Sequence, residues 1–533
     1  AFVSGFPLSR RFGLARGFEV YDDEFDEERG AKETTDRAIA YLREQTAPRF
    51  FVWVHYFDPH FPYEGGYANE VSTMDEQLGR LIEAFEQRAG GQGAIIVVAD
   101  HGEGLGEHGE AQHGNLLYQG VMHVPLVIAG RAVERGVVDT PVSTRHVFHT
   151  IAAWAGIGAE ASLASGTPPN EVVAGEAMIP FLQYGWQPQV MAVEGRRKAI
   201  HAGTTEVYDV LSDPKETRDL GSNDLSREIR KVLLEYPVPS LNATPSASTL
   251  SEEEQKKLAS LGYITADARP VIRKDAPRPR DMAPLFETLD QASGYFVQEQ
   301  YARAIPLLEK VLAADPHNLM AALRVAAAHS ALGHNAQALA AFEKAQAIAP
   351  QSPDVRHYLA LHYARTGDLE RAEPMLERVV AETPDRLPAV EALATIREQQ
   401  RRYEDALALR QKAVTLKGVT APDLIRIGQL AMELGRTDVA ISALEQARTI
   451  QGSLFRNDLE LGVLYMAARR FEDARTAIDR VPQSHPAYAM ALFKRAQLSV
   501  LLSEPDRNAR IEAAKKHADA TTRELIAREK LFQ

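Results

Sequence analysis

The chain has 533 residues, 45% of them hydrophobic and 25% charged, which is too long for one core and has the composition of ordinary globular protein. Its formal charge of −13 is concentrated in residues 1–280, where 28 basic face 40 acidic side chains, so that half lacks the electrostatic footprint for nucleic acid or an anionic membrane. With no cysteine the chain has no disulfide, metal thiolate or cysteine nucleophile, and no run of about 18 apolar residues is present to span a bilayer.

Ala1 to Ser4 reads as a strand fragment followed at once by loop chemistry, so the chain is expected to begin inside a domain. Glu33 to Gln45 has apolar residues at helical spacing, and FFVWVHYF (50–57) reads as a strand from its aromatic and β-branched content. That strand ends in Asp58-Pro59-His60-Phe61-Pro62-Tyr63, where two prolines fix the loop that carries His60. Glu70 to Arg88 is an amphipathic helix with Val71, Met74, Leu78, Leu81, Ile82 and Phe85 on one face.

A glycine-rich return leads to the apolar run Ala94 to Ala99, which empties into DHGEGLGEHGEAQHG (100–114). A second apolar run follows at Val124 to Ala129. Strand, helix and strand in that order imply a mainly parallel sheet, with His60 and Asp100 at like ends of two strands. Open α/β sheets place their chemistry where a strand empties into such a loop. Asp100, His101, Glu103, Glu107, His108, Glu110 and His113 stand there with no Lys or Arg among them, a set that favours a divalent cation. The competing reading is a solvated acidic loop with incidental histidines.

Ser143 to Trp154 reads as a helix, and Val190 to Glu194, Lys198 to His201 and Glu206 to Asp209 as short strands of a small antiparallel subdomain. Residues 236–282 change to a Pro- and Ser-rich composition around a short helix, SEEEQKKLASLG, and mark a linker. Beyond Met282 the pattern is helical and repeats. Ala304, Ala338, Ala372, Ala406, Ala440 and Ala474 are spaced by 34 residues, Pro316, Pro350 and Pro384 keep the interval, and Gly333, Gly367 and Gly435 fall five residues before their alanines. Position by position this resembles the tetratricopeptide repeat, an all-α superhelix whose groove is expected to bind a protein or peptide. The segment from Ala487 to Gln533 keeps the helical period but is expected to lose the register, as an end cap would.

The first half resembles the C-terminal part of a sulfatase, of the alkaline-phosphatase-like superfamily. The match is carried by FVWVHYFDPHFPY (51–63), NEVSTMDEQLGRLIEAF (69–85), VVADHGEGLGEHGEAQHG (97–114), HVPLVIAG (123–130), EVYDVLSDPKETRDL (206–220) and LSEEEQKKLASLGYI (250–264). The resemblance implies an α/β catalytic domain over 1–159 that lacks its N-terminal part, a small subdomain over 160–235, the linker 236–282, six repeats over 283–481 and a helical cap over 482–533. It implies one divalent metal, calcium first and manganese, magnesium or zinc as alternatives, held in part by Asp100 and His101. His60 would bind the sulfate and protonate the departing alcohol oxygen, and His113 stands where many sulfatases carry a sulfate-binding lysine. Glu103 is a candidate for support around the metal, and His108 is either that or simply a loop residue. Two further metal aspartates and the nucleophile of the family have no counterpart here, so activity is expected of a longer protein. A sulfate ester is the implied substrate, with a phosphodiester or phosphonate ester hydrolase and an inactive repeat scaffold as rivals. A bacterial periplasm or cell surface is the location the family suggests.

Overall fold

The computed structural model describes residues 1–130, 133–158, 162–165, 170–238 and 271–532. One compact unit holds the described residues up to Val355, and a second those from Arg356 onward. The short helix expected at 251–262 and most of the expected linker lie outside the described residues. Among the described residues no helix is long and apolar enough to cross a membrane.

In the first unit, Ala1 to Val3 lie between two extended stretches. Phe2 forms parallel bridges to Asp22 and to Val54, with its N–H on the Trp53 carbonyl at 2.9 Å and its carbonyl accepting the His55 N–H at 2.9 Å. The expected strand over 50–57 is therefore a single bridge, because only Phe2 meets it in register. α1 (Ala31–Glu44) and α2 (Tyr67–Ala89) fall where the apolar periodicity put them. The apolar face expected on α2 is only half covered, and its one buried residue is Gln77.

β1 (Ala94–Val98) pairs with β2 (Leu126–Gly130), with Ile96 opposite Ile128, and the pairing is antiparallel. The mainly parallel sheet expected from element order is not met among the described residues, where regular ladders are antiparallel and parallel pairing is confined to the Phe2 bridges. α3 (Gln119–Met122) precedes β2, and α4 (His146–Ala155) follows it, starting three residues later and ending one residue later than the helix expected over 143–154.

β3 (Val173–Ala177), α5 (Ile179–Tyr184), β4 (Gln189–Glu194), β5 (Arg197–Ala202) and β6 (Thr204–Asp209) build a four-stranded antiparallel sheet in the order β3-β4-β5-β6. Ala192, Ala199 and Val207 pack its face against Ile229 of α6 (Arg227–Glu235), and all four are fully buried. Here the core is well closed.

A 3-10 turn at Pro279–Leu285 leads into paired helices: α7 (Phe286–Val297) with α8 (Tyr301–Ala314), and α9 (Leu319–Ala331) with α10 (Asn335–Ile348). The division between units falls inside α11 (Pro353–Thr366), which pairs with α12 (Leu369–Glu382). The second unit continues with α13 (Leu387–Gln399) and α14 (Tyr403–Lys417), α15 (Ala421–Glu433) and α16 (Thr437–Gln451), then α17 (Asp458–Ala467) and α18 (Phe471–Ile478). It ends in α19 (Tyr488–Leu501), α20 (Arg507–Lys516) and α21 (Ala520–Arg528).

The six alanines of the 34-residue register are all fully buried, as close helix approach requires. The turn before each has a left-handed residue: Gly333, Gly367 and Gly435 where glycine removes the steric cost, but Glu299, Arg401 and Arg469 in the other three. Ser503, 34 residues after Arg469, adopts the same conformation at φ 54°. The turn register thus reaches into the segment expected to lose it, although Asn508 stands where the next alanine would be.

Candidate functional site

The loop after β1 is folded back on itself by its own backbone. Gly102 donates to the Val121 carbonyl at 2.7 Å, Gly104 to Gln112 at 2.7 Å and Gly106 to Glu110 at 2.8 Å. A Cβ on Gly102 would sit 2.2 Å from the Gly120 oxygen, and one on Gly104 2.3 Å from that of Glu110, so glycine is required at both. Glu110 closes the loop: one carboxylate oxygen accepts the Asn115 N–H at 2.7 Å and the Leu116 N–H at 3.3 Å.

Burial pushes the Glu110 carboxyl up to about 7, against the opposing pull of those two amides. A carboxyl raised in the fold binds its proton more tightly there than in the unfolded chain, so stability falls as pH rises from the ordinary value of 4.5 through about 7. Glu110→Gln keeps an oxygen for both amides and carries no charge. We expect its melting temperature to match the parent at pH 5 and to exceed it at pH 8, by the equivalent of about 1–3 kcal/mol. Equal melting of the two proteins at pH 8 would refute this.

Asp100 and His101 stand at the rim directly after β1. The Asp100 side chain is 80% exposed, and its Oδ1 accepts the His101 N–H at 2.9 Å. The His101 ring stacks on His113 at 3.8 Å between centroids. Behind them lies Glu103, whose Oε1 is 3.2 Å from His113 Nδ1 and whose Oε2 accepts the Tyr63 hydroxyl at 2.6 Å. Burial opposes charge on both partners of the Glu103–His113 pair, but their mutual contact outweighs it. His113 is held above the usual imidazole value and Glu103, with help from Tyr63, below the usual carboxyl value. Tyr63 itself is raised out of the physiological range by burial and by Glu103, so it remains a donor.

Tyr63 belongs to the loop that carries His60. That loop has cis peptide bonds at Asp58-Pro59 and Phe61-Pro62. The His60 ring stacks on Phe57 at 4.1 Å, and its backbone N–H reaches Glu70 of α2 at 3.1 Å. Burial, then the fields of His113 and His101, lower the His60 pKa, with Glu103 and Glu70 opposing. His60, His101, His113 and Glu103 therefore share one locality.

His108 does not join them. At φ 53° the chain turns there, and the ring stacks on Tyr118 at 3.5 Å and 10° while Nε2 faces the Lys215 carbonyl at 2.9 Å. Tyr63 was not singled out from the sequence, nor was His55, a half-buried imidazole whose pKa is lowered by burial and partly restored by Asp100. The Asp-Pro-His-Phe-Pro-Tyr run held the signal for Tyr63, as an aromatic hydroxyl at the end of a proline-fixed loop.

Among the described residues no group of three or more His, Asp or Glu is placed to hold a metal. An exposed carboxylate beside an imidazole makes two donors, whereas calcium takes about six to eight oxygens and a zinc site about four ligands. The pair fits part of a divalent site.

Asp100, His101 and the proline-fixed loop of His60 lie in the part of the chain that matches a known family. Residues 8–157 match the sulfatase family, while residues 296–357, 331–396 and 459–521 match tetratricopeptide repeat families. The chain carries a sulfatase-family domain followed by tetratricopeptide repeats. It is 29% identical over 171 residues to choline-sulfatase of Rhizobium meliloti (strain 1021), covering 30% of this chain and 33% of that one. It is 28% identical over 181 residues to the uncharacterized sulfatase YidJ of Escherichia coli (strain K12), covering 31% and 36%. The chain thus spans about a third of the length of these curated relatives. A similar solved structure is the C-terminal part of a tetratricopeptide repeat-containing protein from Cytophaga hutchinsonii, 13% identical with a TM-score of 0.35 over 44% of this chain and 97% of that one.

Proposed function

We propose that this chain supplies the leaving-group side and part of the metal site of a sulfuric ester hydrolase. The observation that supports it is the double grip of Glu103, which ties Tyr63 of the His60 loop and His113 of the Asp100 loop to one carboxylate. In this reading Asp100 and His101 hold one divalent cation, calcium first and manganese, magnesium or zinc as alternatives, which when bound neutralises ester oxygens. The reading requires further metal ligands and a nucleophile besides Asp100, His101, His113 and His60. His113, paired with Glu103, supplies positive charge for the ester anion where many sulfatases use lysine. His60 sits across the same locality as the proton donor to the departing alcohol oxygen. The repeats recruit a protein or peptide partner.

A general acid matters most when the leaving group is poor. In the full-length protein, His60→Ala should lower kcat on phenyl sulfate by about a hundred- to ten-thousand-fold and on 4-nitrophenyl sulfate by much less. Equal losses on the two substrates would remove His60 from that role. The second reading, a phosphodiester hydrolase on the same fold, is favoured by the imidazole pair His101 and His113 in place of amide and lysine. Faster turnover of an aryl phosphate diester than of the aryl sulfate would establish it instead.

A further inference from the structure

The chain that enters the first repeat lies across the hydrolase unit. Its residue Arg273 donates to Asp315 Oδ1 at 3.2 Å, and the other oxygen of Asp315 accepts the indole N–H of buried Trp186 at 3.0 Å. Gln187 donates its backbone N–H to the Pro277 carbonyl at 3.0 Å and its side-chain amide to those of Lys274 and Ala276. The path then turns toward the site. Arg280 Nη1 lies 2.9 Å from Glu206 Oε2, the same oxygen that accepts the hydroxyls of Tyr118 at 2.9 Å and Tyr208 at 2.8 Å. Tyr118 is the ring on which His108 stacks. Three residues further on, Ala283 packs against Gly109 so closely that a Cβ there would be 3.1 Å from its methyl.

These contacts reach His108 and Gly109, two of the four left-handed positions of the loop, with Leu105 and Gly106, before it returns through Glu110 to His113. We propose that residues 273–283 form a strap by which the first helical hairpin, α7 with α8, holds the 102–113 loop in its reactive conformation, with Arg280 as the positioning residue. This rests on the hydrolase reading. It gives the repeats a second task, since whatever loads α7 and α8 also loads the loop that places Glu103 and His113. Arg280 contacts Glu206 and, at 3.3 Å, the Tyr208 hydroxyl, so it acts on the loop through that carboxylate and the tyrosines that share it.

The test uses the full-length protein with two readouts. Arg280→Ala should raise amide hydrogen exchange at Gly104 and Gly106 about ten-fold while α15 and α16 keep theirs, as loss of one charged hydrogen bond under a locally opening loop predicts. It should also lower kcat on aryl sulfate more than it changes KM, and Arg280→Lys should return most of both effects. Ala283→Gly, which removes only the methyl against Gly109, should move the same amides in the same direction. Unchanged exchange in both variants overturns the strap, and raised exchange with unaltered turnover overturns its hold on the reaction. If the unaltered protein turns over neither sulfate nor phosphate ester, the hydrolase reading fails, and exchange alone then upholds or overturns the strap.

Discussion

Lys198→Met should destabilise the first compact unit by about 3–5 kcal/mol, because it strands a buried carboxylate. Lys198 and Glu216 are both fully buried, with Nζ 2.8 Å from Oε1. The other oxygen of Glu216 accepts the Gln119 N–H at 2.5 Å, at the first residue of α3, and Lys198 Nζ donates to the Gln119 side chain at 3.1 Å. Burial drives the Lys198 pKa down and Glu216 only partly opposes it, so each side chain depends on the other in a place where neither charge is tolerable alone. Removing one partner leaves the full desolvation penalty of the other. The double variant Lys198→Met with Glu216→Gln should therefore recover part of the loss, since the amide oxygen still meets Gln119 without a net charge. Calorimetry of the single and double variants checks this; a single variant that melts with the parent would show that the pair contributes nothing.

Trp186→Ala should cost a similar amount, about 3–5 kcal/mol, from an emptied site for a large aromatic side chain. The indole is almost fully buried, sits against Tyr184 at 4.7 Å and Phe286 at 6.3 Å between ring centroids, and donates to Asp315. Asp315 is itself buried and would keep only Arg273 as a side-chain partner of these two. Phe286 opens α7 and Asp315 closes α8, so the effect should appear as faster hydrogen exchange in α7 and α8 with the helices from α13 onward unmoved. Exchange that stays the same in α7 and α8 would mean that the first hairpin stands without the indole.

What could be read from the sequence was what repeats or alternates locally. The apolar spacing of α1 and α2 and the 34-residue register of buried alanines needed no knowledge of distant partners. β3 escaped because Gly175 and Glu176 interrupt its alternation, and its pairing with β4 decides its conformation. The aromatic run at 50–57 carried a strand's composition, yet a strand needs a neighbour along its length and only Phe2 provides one. The position of Asp100 and His101 just beyond β1 was legible from the apolar run before them. The link from Tyr63 to Glu103 spans 40 residues of sequence and was not. His108 shows the limit most clearly, since its residue type suited the site and a left-handed turn sent the ring to Tyr118 instead.

β1 is written Ala-Ile-Ile-Val-Val, yet none of its residues is buried, and Val127 in β2 is 57% exposed. Among the described residues each of these two strands has a neighbour on one flank only. A greasy ribbon with bare rims offers unmet N–H and C=O groups to any similar ribbon that drifts past. Handled without a cover over that ribbon, the protein invites copy-to-copy adhesion at the very edge that carries Asp100, and dilution becomes part of keeping the site intact.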